Sequence, residues 1–235
     1  MSSIISLLVI HGIMRVAALF SGGKDSTYAA YLAKKAGNEI ACLISIYSKN
    51  PYSYMFHTPS IFCVEEQAEV IGAPLLKQDT EGEKEEELKE LEKAIKRAKE
   101  EYNIEGIVTG AVASNYQASR IEKICNSLGL AVINPLWQKD QLELLNDLIK
   151  DKFDIVITGV AAYPLDDKWL GRKIDNEFVK DAKQLYDKYK INPAGEGGEF
   201  ETLVLNCPLF SRSLRIKESR VSGSGNSFRM DVSLE

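Results

Sequence analysis

Leu19-Phe20-Ser21-Gly22-Gly23-Lys24-Asp25-Ser26-Thr27 runs from the end of a short apolar strand, through two adjacent glycines, directly into a helix. That order of elements builds a cradle for phosphate. Paired glycines let the backbone approach a ligand closely, the amides after them point outward, and a helix N-terminus adds the positive end of its dipole. Lys24 contributes a cation, and Ser21, Ser26 and Thr27 contribute hydroxyls. The spacing is not that of a Walker A loop, which needs G-x-x-x-x-G-K-[ST], nor of the dinucleotide fingerprint G-x-G-x-x-G. A plain turn, with Asp25 or Ser26 serving only as a helix cap, is the alternative. It leaves the coincidence of strand, glycines, lysine and hydroxyls without a reason.

Outward from this segment, Met14 to Phe20 reads as a buried strand and Lys24 to Lys35 as the helix it feeds, ended by Gly37. Ile40 to Ile46 is a second apolar strand, followed by a polar and aromatic loop from Tyr47 to Ser60 that contains His57. Ile61 to Ile71 reads as a helix, Leu75-Leu76 as the start of a short strand, and Glu83 to Tyr102 as a charge-rich helix with one apolar stripe. Gly106 to Gly110 is a strand and Ser114 to Leu128 a helix stopped at Gly129. Strands alternating with helices predict an α/β fold, a parallel sheet with helices on both faces, with ligands at the carboxyl ends of the strands.

Beyond Pro135 the pattern becomes mixed: helices at 138–150 and 176–189, a strand at 154–159, and a tail from Phe200 to Leu234 that alternates as short strands around Ser222-Gly223-Ser224-Gly225-Asn226. The change predicts a boundary around residues 131 to 137. It separates an N-terminal nucleotide-binding domain, 1–133, from a smaller mixed α+β substrate-binding domain, 134–235.

A formal charge of −5 argues against a nucleic-acid partner and favours a small molecule held at a specific site. Cys42, Cys63, Cys125 and Cys207 are scattered with no C-x-x-C pair, as expected of reduced thiols in a cytoplasmic protein without a zinc ribbon. The first thirteen residues are apolar but lack a basic n-region. They read as a loose extension, or as a start placed upstream of Met14. No other stretch is long enough to span a membrane.

Two further stretches carry chemistry. In Gly110-Ala111-Val112-Ala113-Ser114-Asn115-Tyr116-Gln117-Ala118-Ser119-Arg120, Ser114 and Gln117 have capping-box spacing. Tyr116 and Arg120 lie together on one helix face near the first turn, where Arg120 suits a phosphate or carboxylate and equally suits a surface ion pair. In Gly195-Glu196-Gly197-Gly198-Glu199-Phe200-Glu201-Thr202, three glycines meet three carboxylates. With a strand starting near Glu199, Glu199 and Glu201 share a face, and Glu196 sits in the turn before them. Such carboxylates hold Mg²⁺, bind ammonium or act as a general base; a solvated acidic edge on a glycine turn is the competing reading.

Together the three stretches resemble a known family. S-G-G-K-D-S at residues 21–26 resembles the pyrophosphate loop of the N-type ATP pyrophosphatases, which split ATP between the α and β phosphates and adenylate an acceptor. Y-Q-x-x-R-x-E at 116–122, with Leu128-Gly129-Leu130 and Pro135-Leu136-Trp137, and G-E-G-G-E-F-E-T at 195–202, with Cys207-Pro208-Leu209-Phe210, are more specific. From about Met14 onward the chain resembles the diphthine–ammonia ligases, members of that class that complete diphthamide on translation elongation factor 2. The resemblance implies an adenine nucleotide alpha hydrolase-like, Rossmann-like fold and ATP-dependent amidation of a carboxylate by ammonium, giving AMP and pyrophosphate. It implies ATP and Mg²⁺ as cofactors, with ATP held by Ser21, Gly22, Gly23, Lys24, Asp25, Ser26, Gly110 and Ala111. It further implies catalytic roles for Lys24, Asp25, Arg120, Glu196, Glu199 and Glu201, and acceptor contacts from His57, Tyr116, Gln117, Gly197, Gly198 and Thr202. Eukaryotic members carry extra C-terminal domains, so the length of the chain implies the short archaeal form. A tRNA-thiolating or lysidine-type relative sharing the first step, and a nucleotide sensor without turnover, are the competing readings.

Overall fold

The computed structural model describes residues 12–48, 63–83 and 86–235. His57 and most of its aromatic loop lie outside the described residues, as do the first eleven residues. Two sheets organise the rest. Strands β1 (Arg15–Leu19), β2 (Glu39–Ser48), β3 (Leu75–Thr80), β4 (Gly106–Val108) and β5 (Ala131–Ile133) form a five-stranded sheet in the order β3-β2-β1-β4-β5. Every pair in it is parallel. Strand β5 is the addition to the sequence reading: at three residues it is too short for a periodic signal, and the expected change of pattern falls on it.

Helices α1 (Lys24–Lys35), α2 (Val64–Ile71), α3 (Glu86–Tyr102) and α4 (Asn115–Ser127) connect these strands. Successive side chains of β1 go to opposite faces, and both faces are buried. Val16 and Ala18 join one core with Tyr28, Ala29 and Ala33 of α1, whereas Ala17 joins another with Leu91 and Ile95 of α3 and Ile121 and Cys125 of α4. Burial on both sides is why the strand is a continuous apolar run in sequence. The expected α/β sandwich, Rossmann-like, is therefore the architecture of the first half.

The second half adds α5 (Gln141–Lys150), β6 (Asp154–Val160), α6 (Asn176–Tyr189), β7 (Phe200–Asn206), β8 (Ile216–Ser224) and β9 (Ser227–Leu234). Its four strands form an antiparallel sheet in the order β7-β6-β9-β8. The two halves share a core: Ile155, Ile157, Val160, Phe200 and Val204 belong to the same buried cluster as α1. Tyr28 of α1 packs edge-on against Phe153 at 5.2 Å between ring centroids and donates its hydroxyl to Asp151 Oδ2 at 3.0 Å. Burial, reinforced by Asp151, raises the Tyr28 pKa and keeps the phenol a donor.

The strand order sets the site. Chain direction across the parallel sheet reverses between β1 and β4, and the crevice at their carboxyl ends opens between the loops at 20–23 and 109–114. These loops approach so closely that a Cβ on Gly110 would sit 2.7 Å from the carbonyl carbon of Asp25 and 2.8 Å from the amide of Ser26. Gly110→Ala is expected to push the first turn of α1 away from β4 and to cost about 1–3 kcal/mol, as overpacking against backbone does. Thermal unfolding would register it as a drop of about 2–4 °C per kcal/mol.

Candidate functional site

Gly22 adopts φ +77° and Gly23 caps α1 with no side chain to satisfy its first-turn amides. Hydroxyls then close the turn on itself. Ser26 and Thr27 donate to the Gly23 carbonyl at 3.2 and 2.8 Å, the Ser21 amide donates to Ser26 Oγ at 3.2 Å, and the Ser21 and Ser26 hydroxyls lie 3.1 Å apart. The Lys24 amide donates to Thr202 Oγ1 on β7 at 3.1 Å. The amides of Gly22, Gly23, Asp25 and Ser26 keep no partner among the described residues. Unpartnered N–H groups at a helix N-terminus favour an anion.

Lys24 is 4% exposed, with its ammonium 2.7 Å from Asp25 Oδ2 and 5.8 Å from the centre of the Phe200 ring. The cation is thus held at the cradle instead of being freely mobile. Asp25 Oδ1 is buried without a hydrogen-bond partner among the described residues. Glu196 stands beside this pair and accepts the Ala113 amide on Oε1 at 3.1 Å. Burial and then the Asp25 charge raise its pKa, against the opposing pull of the Ala113 amide and Lys24. One buried cation and two half-buried carboxylates therefore gather next to the free amides.

The other members of the glycine turn separate. Glu199 lies just outside β7 and accepts backbone amides with both oxygens, Asn192 on Oε1 at 3.0 Å and Gly197 on Oε2 at 2.8 Å. It clamps the turn that carries Glu196, with Gly197 and Gly198 exposed at its tip. Glu201 lies beside Gly159, its carboxyl carbon 3.7 Å from where a Cβ there would stand. It points to the opposite face of β7 from Thr202, because neighbouring strand residues alternate. Glu199 immediately precedes the strand, and both of its oxygens are taken by backbone amides of its own turn.

Across the crevice, Ala111 is buried under the cradle and Ser114 caps α4 by accepting the Gln117 amide at 3.3 Å. The Arg120 guanidinium carbon lies 3.4 Å from the centre of the Tyr116 ring, a cation–π stack on the first turn of α4.

Two residues outside the expected site complete it. Gln67 of α2 and Val204 of β7 both donate to the Gly22 carbonyl, through Nε2 at 3.0 Å and the backbone amide at 3.1 Å. The signal for Gln67 was in the sequence: it stands with Val64, Ala68 and Val70 on the buried face of α2, where a polar side chain needs a reason. Val204 carried no such signal, because its contribution is made by the backbone.

A parallel sheet of this strand order with S-G-G-x-D-S at the switch point defines the class of N-type ATP pyrophosphatase folds. Residues 14–132 match the family model described as diphthamide synthase N-terminal domain, and residues 140–229 match its C-terminal domain. The chain is 35% identical to the diphthine–ammonia ligase of Bos taurus over 227 residues, 88% of this chain and 85% of that protein. To the diphthine–ammonia ligase of Schizosaccharomyces pombe it is 33% identical over 224 residues, 88% of this chain but 37% of that protein. The chain belongs to the diphthamide synthase, or diphthine–ammonia ligase, family. Extra length is a feature of the yeast relative and not of the bovine one, so length does not assign this chain to an archaeal form. A solved structure described as a predicted subunit of tRNA methyltransferase from Methanocaldococcus jannaschii aligns at 19% identity and a TM-score of 0.44, covering 83% of this chain and 98% of that one.

The raised pKa of Glu196 has a stability consequence. A carboxyl that holds its proton more tightly when folded contributes stability below the ordinary glutamate pKa, about 4.3, and loses it as pH rises through the raised value. Glu196→Gln is therefore expected to melt above wild type at neutral pH, by about 2–4 °C for each kcal/mol recovered. The two melting curves are expected to converge near pH 4 and below, which thermal denaturation across pH 4 to 8 would check.

Proposed function

We propose that this chain catalyses ATP-dependent amidation of diphthine on translation elongation factor 2, with ammonium as nitrogen donor and AMP and pyrophosphate as products. Family membership supports the reaction class. The observation that carries the mechanism is the grouping of Lys24, Asp25 and Glu196 beside four free amides. The acceptor carboxylate attacks the α phosphorus: a new P–O bond forms, the α–β bridge bond breaks, and pyrophosphate leaves with its charge taken up by the cradle amides and the Lys24 ammonium. Ammonia then attacks the acyl carbon of the adenylate and AMP leaves. Glu196 is the base for the proton that ammonium must lose, because a carboxylate with a raised pKa accepts a proton more readily than an ordinary one. Glu199 acts one step away, by fixing the turn.

Mg²⁺ fits the same grouping. Asp25 Oδ1 is a buried oxygen with no partner among the described residues, and no cluster of three His, Cys, Asp or Glu side chains occurs among them, so Asp25 would share the ion with substrate phosphates. The ion would supply further neutralisation of the departing pyrophosphate. Tyr116, Gln117 and Arg120 face the acceptor or the nucleotide from α4, and Gly110 and Ala111 lie against adenine.

The thiolation alternative is disfavoured by the cysteines. All four are buried, and burial pushes each thiol up to about 12, which leaves no ready thiolate for sulfur transfer. No described helix is long and apolar enough to cross a membrane. A translation factor as acceptor places the reaction in the cytoplasm.

The test is AMP and pyrophosphate release from ATP, Mg²⁺ and ammonium, with and without elongation factor 2 carrying diphthine, alongside the mass of the factor. Acceptor-dependent AMP with conversion of the carboxylate to an amide is expected; AMP that appears only with a tRNA acceptor would move the reading to a tRNA-modifying enzyme. Lys24→Met is expected to lower both ATP–pyrophosphate exchange and amide formation about a hundredfold, on the scale of one lost transition-state donor. Glu196→Gln is expected to spare the exchange and slow amide formation, a split that rapid-quench measurements would read.

A further inference from the structure

Gln67 is completely buried and makes an unusual set of bonds. Its Nε2 donates to two carbonyls, Gly22 at 3.0 Å and Val204 at 2.8 Å, while its Oε1 takes no hydrogen bond among the described residues. The opposite amide orientation would set that oxygen against two carbonyl oxygens, so the network itself assigns which end is nitrogen. A buried acceptor left unsatisfied is a cost that native proteins seldom carry without a return. Gly22 meets this side chain directly: a Cβ there would stand 2.2 Å from Gln67 Oε1.

The return lies in the peptide plane. A trans peptide holds its C=O and the following N–H in opposite directions. The Gly22 carbonyl is pinned on one side by Gln67 Nε2 and the Val204 amide, so the Gly23 N–H must point the other way, into the cradle. Without those two donors the Gly22–Gly23 peptide is free to rotate, because its flanking residues are glycines. A rotation would replace a donor in the cradle by a carbonyl oxygen facing phosphate.

We infer that Gln67 is a positioning residue of the phosphate cradle: by holding the Gly22 carbonyl it aims the Gly23 amide at the nucleotide's phosphates, and it makes that aim depend on strand β7 of the second sheet. The inference rests on the reading of the cradle as an ATP site. It involves neither the acceptor nor ammonium, which separates it from a general role in stability.

The test uses the full chain and ATP binding by calorimetry without acceptor, together with Michaelis constants in the complete reaction. Gln67→Met, close in size and without donors, is expected to weaken ATP binding roughly tenfold, the scale of one lost hydrogen bond, with KM for ammonium and for the acceptor unchanged. Gln67→Glu supplies the signature that a packing role would not produce. Buried against two carbonyls, its carboxyl can donate only when protonated, so the ATP affinity of Gln67→Glu relative to wild type is expected to rise as pH falls, a ratio in which the titration of Glu196, common to both chains, cancels. Unchanged ATP affinity in Gln67→Met, or parallel loss of all three constants with no pH recovery in Gln67→Glu, would overturn the inference. Failure of the wild-type chain itself to bind ATP would instead overturn the nucleotide reading on which it rests.

Discussion

Strand β7 belongs to the antiparallel sheet, yet two of its groups bond the glycine turn and first residue of α1, and a third bonds Gln67 of α2, which holds the same turn. Thr202 Oγ1 takes the Lys24 amide, the Val204 amide takes the Gly22 carbonyl, and the Val204 carbonyl takes Gln67, which also holds Gly22. A glycine pair has too much conformational freedom to hold a binding geometry unaided. The contacts from β7 and α2 remove that freedom before any ligand arrives. Around residues 131 to 137 the chain passes from the parallel sheet toward the antiparallel one, and residues of both halves belong to one buried cluster.

The same docking explains the electrostatics of the site. The turn that leads into β7 carries Glu196 to the first turn of α1, where it meets Asp25 and Lys24 in surroundings that penalise charge. Two half-buried carboxylates beside one ammonium leave an excess of negative charge that water screens only in part. A cation, whether ammonium or a divalent ion, relieves it, and the helix N-terminus next to it draws anions. Opposed fields a few ångströms apart suit a reaction in which a polyphosphate leaves and a cationic amine arrives. The site is destabilised so that substrate can stabilise it, a common arrangement where function and stability compete.

Glycines set the tolerance of this design. Gly110 exists so that the β4 loop can touch the backbone of α1, and Gly22 so that Gln67 can reach a carbonyl. Neither contact involves a side chain of the glycine, so their role is spatial and invisible to any argument from functional groups. Arg120 and Tyr116 show the reverse. Both were legible as chemically capable residues, but their stacking on each other is a fact of side-chain packing on one helix face.

The parallel sheet, apart from the three-residue β5, and the glycine turn between β1 and α1 were readable from residues near in the chain, because a glycine turn between strand and helix and an apolar period are local properties. The roles within Gly195 to Thr202 were not. Three glutamates within six residues look equivalent on paper, and they part ways in their contacts: Glu196 accepts the Ala113 amide, Glu199 accepts two amides of its own turn, and Glu201 stands beside Gly159. Gln67 stood out as a polar residue on an apolar stripe, but its partner lies 45 residues away at Gly22 and its second 137 residues away at Val204. Local sequence encodes backbone geometry through propensity and sterics. Which carboxylate faces the substrate, and which amide is aimed at it, depends on long-range contacts that exist only once the two sheets have packed.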